Sequence, residues 1–226
     1  MQLKAALFDL YGTLCYVKIP FTDEATSEFL VKRGYQVYPQ SWKAAWQYVS
    51  FLDYPKSGYG DWESYLTQVF KRARIRPDGK TLKELAGRYE GSKWVLYSDA
   101  KTATSRAKQA GLKSAIITTI ARFKYMRILK PLLKNFDLIV DGYTFRCEKS
   151  NPAIYSKTLE RLGLKPGEAL MIGDDVALDI LLPRSIGIDA ILLDRTGRLR
   201  AEDCKEAVAV VKNLNEAMDM VISRFG

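Results

Sequence analysis

The chain has 226 residues, of which 47% are hydrophobic and 27% charged; these proportions exclude a disordered chain, and the length suits one α/β domain or a core with a small insertion. Its 35 basic and 26 acidic residues give a net charge of +9, but the basic residues are dispersed, which argues against a nucleic-acid partner and favours a small anionic substrate. There is no histidine, so a Ser-His-Asp triad and a histidine-ligated metal are excluded, and acid–base chemistry must use carboxylates, Lys, Tyr or water.

The first predicted element is a short apolar strand from Ala5 to Phe8, buried on both faces. It ends in Asp9, and Gly12 then permits a tight turn. A carboxylate at the carboxyl end of a buried parallel strand lies where open α/β sheets bind their ligands. Taken alone, however, an aspartate in this position more often simply caps the turn.

Helices dominate the next part of the chain. The spacing of apolar residues predicts them over Phe21–Gly34, over Pro39–Asp53, from Trp62 onward and over Asp78–Tyr89. Because no convincing strand separates these helices, we predict a helical cap domain at residues 18–92, inserted into an α/β core formed by residues 1–17 and 93–226. Most of the aromatic residues here are expected to fill the core of the bundle.

From residue 98 onward, helices and strands alternate. This βαβ series predicts a parallel sheet with helices on both faces. The predicted strands are Ser114–Thr119, Phe136–Val140, Ala169–Ile172, Ile188–Leu193 and Val208–Val211, and the predicted helices include Asp99–Ala110, Arg122–Asn135, Pro152–Leu162 and Asn213–Arg224.

A second acidic stretch strengthens the interpretation of Asp9 as a functional residue. The strand Ala169–Ile172 is followed by Gly173, Asp174 and Asp175, with Asp179 a turn later. Two buried strands that end in carboxylates would bring these acids together at one edge of the sheet. Like charges gathered there require a cation or a shared proton.

These motifs resemble those of the haloacid dehalogenase-like (HAD) hydrolase superfamily. The first motif of that family is Asp-x-Asp-x-Thr, and Asp9 to Thr13 matches it except that Tyr11 replaces the second Asp. The resemblance assigns the later motifs, in order, to Thr118 with Thr119, to Lys149, and to Gly173-Asp174-Asp175 with Asp179 following. It implies a Rossmann-like (HAD-like) parallel sheet core with a small inserted helical cap.

The resemblance also implies catalytic and binding roles. Asp9 is expected to be the nucleophile, Lys149 to neutralise Asp9 and the incoming anion, and Tyr11 to occupy the family's acid–base position. The expected substrate-binding residues are Gly12, Thr13, Thr118 and Thr119. The expected cofactor is Mg²⁺, held by Asp9, the backbone carbonyl of Tyr11 and Asp174, with Asp175 and Asp179 supporting.

Tyr11 leaves three functions open. Its unperturbed pKa near 10 is about six units above that of Asp, so Tyr11 is a poor replacement as general acid and base. The 2-haloacid dehalogenases of the superfamily carry Tyr here and need no metal, but their fourth motif resembles Ser-Ser-Asn rather than Gly-Asp-Asp. We therefore favour an Mg-dependent phosphatase acting on a small phosphorylated metabolite through an aspartyl-phosphate. The alternatives are a metal-independent 2-haloacid dehalogenase and a non-catalytic phosphate-binding protein.

The remaining sequence features concern the cellular setting. No apolar run approaches the roughly 20 residues of a membrane span, and the amino terminus lacks a signal-peptide pattern. The three cysteines fit neither a disulfide set nor a zinc site. We therefore predict a cytoplasmic protein with no membrane partner, and the oligomeric state stays open.

Overall fold

The structure, a computed structural model, describes residues 2–199 and 204–223. The strands are β1 (Ala5–Phe8), β2 (Cys15–Ile19), β3 (Lys93–Leu96), β4 (Lys113–Ile117), β5 (Leu138–Val140), β6 (Ala169–Gly173), β7 (Asp189–Leu193) and β8 (Ala209–Val211). Within the described residues, six of them form one parallel sheet in the order β5–β4–β1–β6–β7–β8.

The α-helices accompany this sheet and also form a separate group. They are α1 (Asp23–Val31), α2 (Pro39–Tyr48), α3 (Tyr54–Ser57), α4 (Trp62–Arg72), α5 (Gly79–Glu90), α6 (Ala100–Gln109), α7 (Met126–Leu129), α8 (Ala153–Leu162), α9 (Leu182–Ser185) and α10 (Leu214–Ser223). Over residues 2–199 and 204–223, none of the helices has the length and apolar character needed to cross a membrane.

The predicted fold class is confirmed: the core is a parallel α/β sheet flanked by helices. The predicted strand Ser114–Thr119 ends earlier, at Ile117, so Thr118 and Thr119 lie in the loop beyond it. The predicted helix Arg122–Asn135 is divided into two 3₁₀ turns with α7 between them, because Pro131 has no N–H to continue the α-helical ladder. Arg224, the last residue of the final predicted helix, lies outside the described residues.

Strand β1 is at the centre of the sheet, between β4 and β6. Ala5 pairs with Lys113 on one side and with Ala169 on the other. All four residues of β1 are fully buried, because hydrophobic clusters cover both faces of the sheet. The backbone N–H of Asp9 continues this pairing by donating to the carbonyl of Ile172 at 2.9 Å. Asp9 is therefore fixed at the middle of the carboxyl edge of the sheet.

An antiparallel ribbon of β2 and β3 was not predicted. Helices α1 to α5 occupy the chain between these two strands, and we call them the helical insertion. The ribbon thus brings the start and the end of the insertion together beside the sheet. The domain boundaries at residues 17/18 and 92/93 stay a prediction.

Aromatic side chains form the core of the helical insertion. Trp62 and Trp46 stack on the ring of Tyr89, with ring centroids 5.1 and 4.9 Å apart. The hydroxyl of Tyr89 accepts a hydrogen bond from Trp42 Nε1 at 3.0 Å and pairs with Thr26 Oγ1 at 2.7 Å. These buried polar atoms are satisfied, so this part of the aromatic set serves packing. The predicted helix Pro39–Asp53 is α-helical only to Tyr48 and continues as a π-helical turn over Val49–Asp53.

One polar contact ties the helical insertion to the core. The hydroxyl of Tyr54 donates to Asp141 Oδ2 at 3.0 Å and accepts from the backbone N–H of Arg122 at 3.0 Å. Arg122 Nε lies 3.2 Å from the same carboxylate oxygen. Asp141 follows β5, so the contact anchors α3 to the carboxyl edge of the sheet.

Candidate active site

A buried lysine joins two aspartates at the carboxyl edge of the sheet. Lys149 Nζ donates to Asp9 Oδ1 and lies 2.6 Å from Asp179 Oδ1. The side chain of Lys149 is 2% exposed and that of Asp179 is fully buried. Asp9 comes from the end of β1, Lys149 from the loop before α8, and Asp179 from the turn after β6. The fold therefore brings together groups that lie far apart in the sequence.

Burial and mutual charge set the protonation of this cluster. Burial raises the pKa of Asp9 above its usual value, against the lowering effect of Lys149. Burial likewise raises the pKa of Asp179, to about 7. For Lys149 burial alone would lower the pKa, but the carboxylates of Asp179 and Asp9 together raise it above its usual value. The lysine therefore stays protonated and holds the two acids together.

Asp174 adds a third carboxylate beside this pair. Its Oδ1 accepts a hydrogen bond from Thr13 Oγ1 at 3.2 Å. Carboxylate oxygens of Asp9, Asp174 and Asp179 all lie within 4.8 Å of one another. Asp179 already meets Lys149 and accepts from the backbone N–H of Asp175 at 3.1 Å, so Asp9 and Asp174 have the oxygens that remain available. This donor set fits a small divalent cation such as Mg²⁺.

Two glycines allow the acids to approach the backbone so closely. A Cβ on Gly12 would lie 2.1 Å from Asp174 Oδ2, and Gly12 has a positive φ of 87°. A Cβ on Gly173 would lie 2.2 Å from Asp179 Cγ. The glycines of both predicted motifs therefore leave space for carboxylates, in addition to forming turns.

We expect Gly12→Ala to displace Asp174 and weaken Mg²⁺ binding at least tenfold in a calorimetric titration. Gly111→Ala is the matched control, because Gly111 also has a positive φ, of 76°, but an added Cβ there meets no atom within 4 Å. Both variants carry the strain of a left-handed alanine, about 1–2 kcal/mol. Equal Mg²⁺ affinity in the two variants would contradict the proposed placement of the cation.

Asp175 does not belong to the acidic cluster that could hold a metal. Its side chain is exposed, and Oδ1 accepts from the backbone N–H of Leu178 at 2.9 Å, which caps the following turn. Its own backbone N–H donates to Asp179. Asp175 thus supports the cluster by positioning Asp179.

The other predicted substrate-binding residues lie near an aromatic cavity. Thr118 is buried just after β4, where its Oγ1 accepts from the backbone N–H of Ile120 at 3.2 Å. Thr119 and Tyr11 line a cavity of about 570 Å³ between the sheet edge and the helical insertion. Tyr11 is 47% exposed and its ring meets the ring of Trp94 edge-on at 5.9 Å. The roles of Thr118, of Thr119 and of the Tyr11 carbonyl stay predictions.

Sequence reasoning missed an arginine that holds the loop after Asp9. Arg195 donates through Nε to the carbonyl of Gly12 at 3.2 Å and through Nη2 to that of Thr13 at 2.7 Å. Two further bonds of 3.0 Å join it to Asp99, whose Oδ2 also accepts from the backbone N–H of Leu214. Arg195 lies just beyond β7, at the carboxyl edge of the sheet. This position was the sequence feature that could have identified it as a residue of the site.

The chain is similar to known proteins of one hydrolase family. A family model described as haloacid dehalogenase-like hydrolase matches residues 3–187. Haloacid dehalogenase-like hydrolase domain-containing protein 3 of Danio rerio is 34% identical over 104 residues, which are 45% of this chain and 43% of that protein. The chain therefore aligns with less than half of that relative's length.

Solved structures share the fold along nearly the whole chain. The crystal structure of a HAD phosphatase from Thermococcus onnurineus is 27% identical, has a TM-score of 0.67, and is matched over 97% of this chain and 98% of that one. An L-2-haloacid dehalogenase from Xanthobacter autotrophicus, solved with chloropropionic acid covalently bound, has a TM-score of 0.64 at 21% identity, over 97% and 98% of the two chains. Because the family model matches residues 3–187, the chain belongs to the haloacid dehalogenase-like hydrolases.

Proposed function

We propose that this hydrolase is an Mg²⁺-dependent phosphatase that acts on a small phosphate ester through an aspartyl-phosphate on Asp9. The observation that carries the proposal is the cluster of Asp9, Asp174 and Asp179, which a single lysine only partly neutralises. A cation would balance the remaining charge and hold a substrate oxygen. The Thermococcus onnurineus phosphatase supports the same assignment. In this proposal residues 18–92 form the cap over the site.

In the proposed mechanism the reaction consists of two displacement steps at phosphorus. One carboxylate oxygen of Asp9 bonds to phosphorus while the ester oxygen departs with its electron pair, and water then attacks the phosphorus and releases Asp9 and inorganic phosphate. Lys149 binds Asp9 Oδ1 and neutralises the charge of Asp9 as the anionic phosphate approaches. Arg195 donates to the carbonyls of Gly12 and Thr13 and thereby fixes the loop that follows Asp9. Bound Mg²⁺ would supply electrostatic stabilisation of the phosphoryl oxygens.

Tyr11 restricts the substrates that such an enzyme can use. Since it stands where the family phosphatases carry their general acid, no strong acid at that position protonates the leaving oxygen. We therefore propose a preference for substrates with an acidic leaving group, such as aryl phosphates, which release a phenol, or acyl phosphates, which release a carboxylate. These leaving groups depart without full protonation.

The same tyrosine favours a second candidate function, a metal-independent 2-haloacid dehalogenase. In that reaction Asp9 displaces halide from carbon and forms an ester, which water then hydrolyses. Halide needs no proton, so Tyr11 would be no handicap. The three carboxylates count against this candidate, because a metal-independent dehalogenase has no metal ion to balance the charge that Lys149 leaves.

Metal removal separates these functions. We expect hydrolysis of 4-nitrophenyl phosphate that EDTA abolishes and added Mg²⁺ restores, and we expect Asp174→Asn to reduce it by more than 100-fold, since electrostatic stabilisers are typically worth about 10²–10³ in rate. Phosphate release is measured in parallel with halide release from 2-chloropropionate. Halide release that persists in EDTA would replace the phosphatase by the dehalogenase. Phosphate binding without either activity would leave a non-catalytic binding protein.

A further inference from the structure

The cavity beside the site contains a lysine surrounded by aromatic rings. Lys124 ends the 3₁₀ turn after the second motif, and its Nζ lies 3.5 Å from the ring centroid of Tyr65. It also lies 4.3 Å from the ring of Trp46 and 4.9 Å from that of Trp62. All three rings belong to the helical insertion, whereas Lys124 belongs to the core. The ammonium group is therefore held between the two parts of the protein by cation–π contacts.

No acid balances this ammonium group. Within residues 2–199 and 204–223, no hydrogen bond or ion pair of the Lys124 side chain is found, and no carboxylate contributes to its pKa, which burial lowers well below the usual value. The acids of the cavity, Asp23 and Glu24, interact instead with Lys43. Burial without a counter-ion therefore disfavours the charged form of Lys124, because aromatic faces replace only part of the hydration of an ammonium group, and an anion that enters the cavity would favour the charged form again.

The cavity extends from the catalytic edge to this lysine. Tyr11, Thr119 and Lys124 of the core line it on one side, and Trp46 and Trp62 of the helical insertion line it on the other. Its volume of about 570 Å³ suits a small organic molecule and not a bare phosphate ion. A substrate with its phosphate at Asp9 would therefore extend an apolar body toward Lys124.

We propose that Lys124 binds a carboxylate at the far end of the substrate, so that the enzyme selects phosphate esters that carry a second, anionic group. This subsite rests on the proposed function. The single ammonium group matches one carboxylate, and the flat aromatic walls match an aromatic or other apolar spacer between the two anionic ends. The substrate is thus a phosphorylated carboxylic acid.

The test compares 4-carboxyphenyl phosphate with its methyl ester, which lacks the negative charge; the ester has the more acidic phenol as leaving group, so leaving-group acidity alone would favour the ester. We expect the wild type to have a kcat/KM about ten- to a hundred-fold higher for the carboxylate, through KM, as is typical of one charge-assisted hydrogen bond. Lys124→Met should abolish this preference, and Lys124→Arg should keep part of it. Lys43→Met, at the other lysine of the cavity, should retain the preference. Its loss in Lys43→Met and not in Lys124→Met would overturn the proposal.

A binding measurement keeps this result separate from catalysis. Titration with benzylphosphonate and with 4-carboxybenzylphosphonate, which cannot be hydrolysed, reports the subsite even if no phosphatase activity is found. We expect tighter binding of the carboxylated compound by the wild type and equal binding of both by Lys124→Met. If that difference is found without turnover, the subsite stands and the phosphatase assignment fails. If the wild type binds both compounds equally, the subsite is wrong whatever the activity.

Discussion

Replacing Tyr11 with aspartate is expected to raise kcat for alkyl phosphates by about 10² to 10⁴ in the presence of Mg²⁺, which is the usual contribution of general acid–base catalysis. An alkoxide leaving group needs a proton as it departs, and a carboxyl group, a much stronger acid than a phenol, donates that proton more readily. The change is tolerated by the fold, because Tyr11 is 47% exposed and contacts Trp94 only at its ring edge. The measurement is phosphate release from an alkyl phosphate by both proteins.

Two comparisons make the Tyr11→Asp experiment specific. With aryl phosphates the gain should be much smaller, since their leaving groups need little protonation. Tyr11→Phe serves as the control for the lost ring contacts and should show no gain with either class. A dehalogenase would respond in the opposite way, with halide release falling in Tyr11→Asp because a second acid then stands beside Asp9. That pattern would refute the phosphatase proposal.

Replacing Lys149 with methionine is expected to lower the free energy of unfolding by about 3–5 kcal/mol, the usual cost of removing one partner from a buried ion pair. Methionine fills a similar volume but leaves the carboxylates of Asp9 and Asp179 buried without their cation. Phosphatase activity should be lost as well. Urea denaturation in EDTA, followed by circular dichroism, gives the unfolding free energy.

A double variant shows where that loss of stability arises. Asp179→Asn removes one of the two buried carboxylate charges that Lys149→Met leaves unpaired. The double variant Lys149→Met/Asp179→Asn should therefore be more stable than Lys149→Met alone. Asp179→Asn in the wild-type background should instead destabilise the protein, because Lys149 then keeps only Asp9. If Lys149→Met unfolds at the same urea concentration as the wild type, the ion pairs do not determine the stability of the site.

The strands of the core and the order of the motifs could be predicted because their signals are local. Local residues are enough to recognise the buried apolar run Ala5–Phe8 and the Gly-Asp-Asp that follows Ala169–Ile172. The β2–β3 ribbon could not be predicted in the same way. Its strands are four and five residues long and are separated by the whole helical insertion, so no turn marks their pairing.

The contacts of individual charged side chains could not be predicted from the sequence, for a different reason. Lys124 and Arg195 are two of 35 basic residues, and apart from the position of Arg195 just beyond a strand, nothing in their neighbouring residues distinguishes them. What gives Lys124 its role is the set of aromatic rings that the helical insertion places around it, and what gives Arg195 its role is Asp99 and the loop after Asp9. Such roles depend on tertiary contacts and not on local pattern.

The position of β1 in the sheet has a consequence for how the chain folds. Ala5 pairs with Lys113 and Ala169, so both strands that pair with β1 are synthesised much later than β1 itself. Contacts of such long sequence separation form slowly, whereas the helices of the insertion contact near neighbours and can form early. Until β6 is in place, β1 has at most β4 as a partner, and Asp9 has no Asp174 beside it. The catalytic centre is thus assembled by one of the last steps of folding.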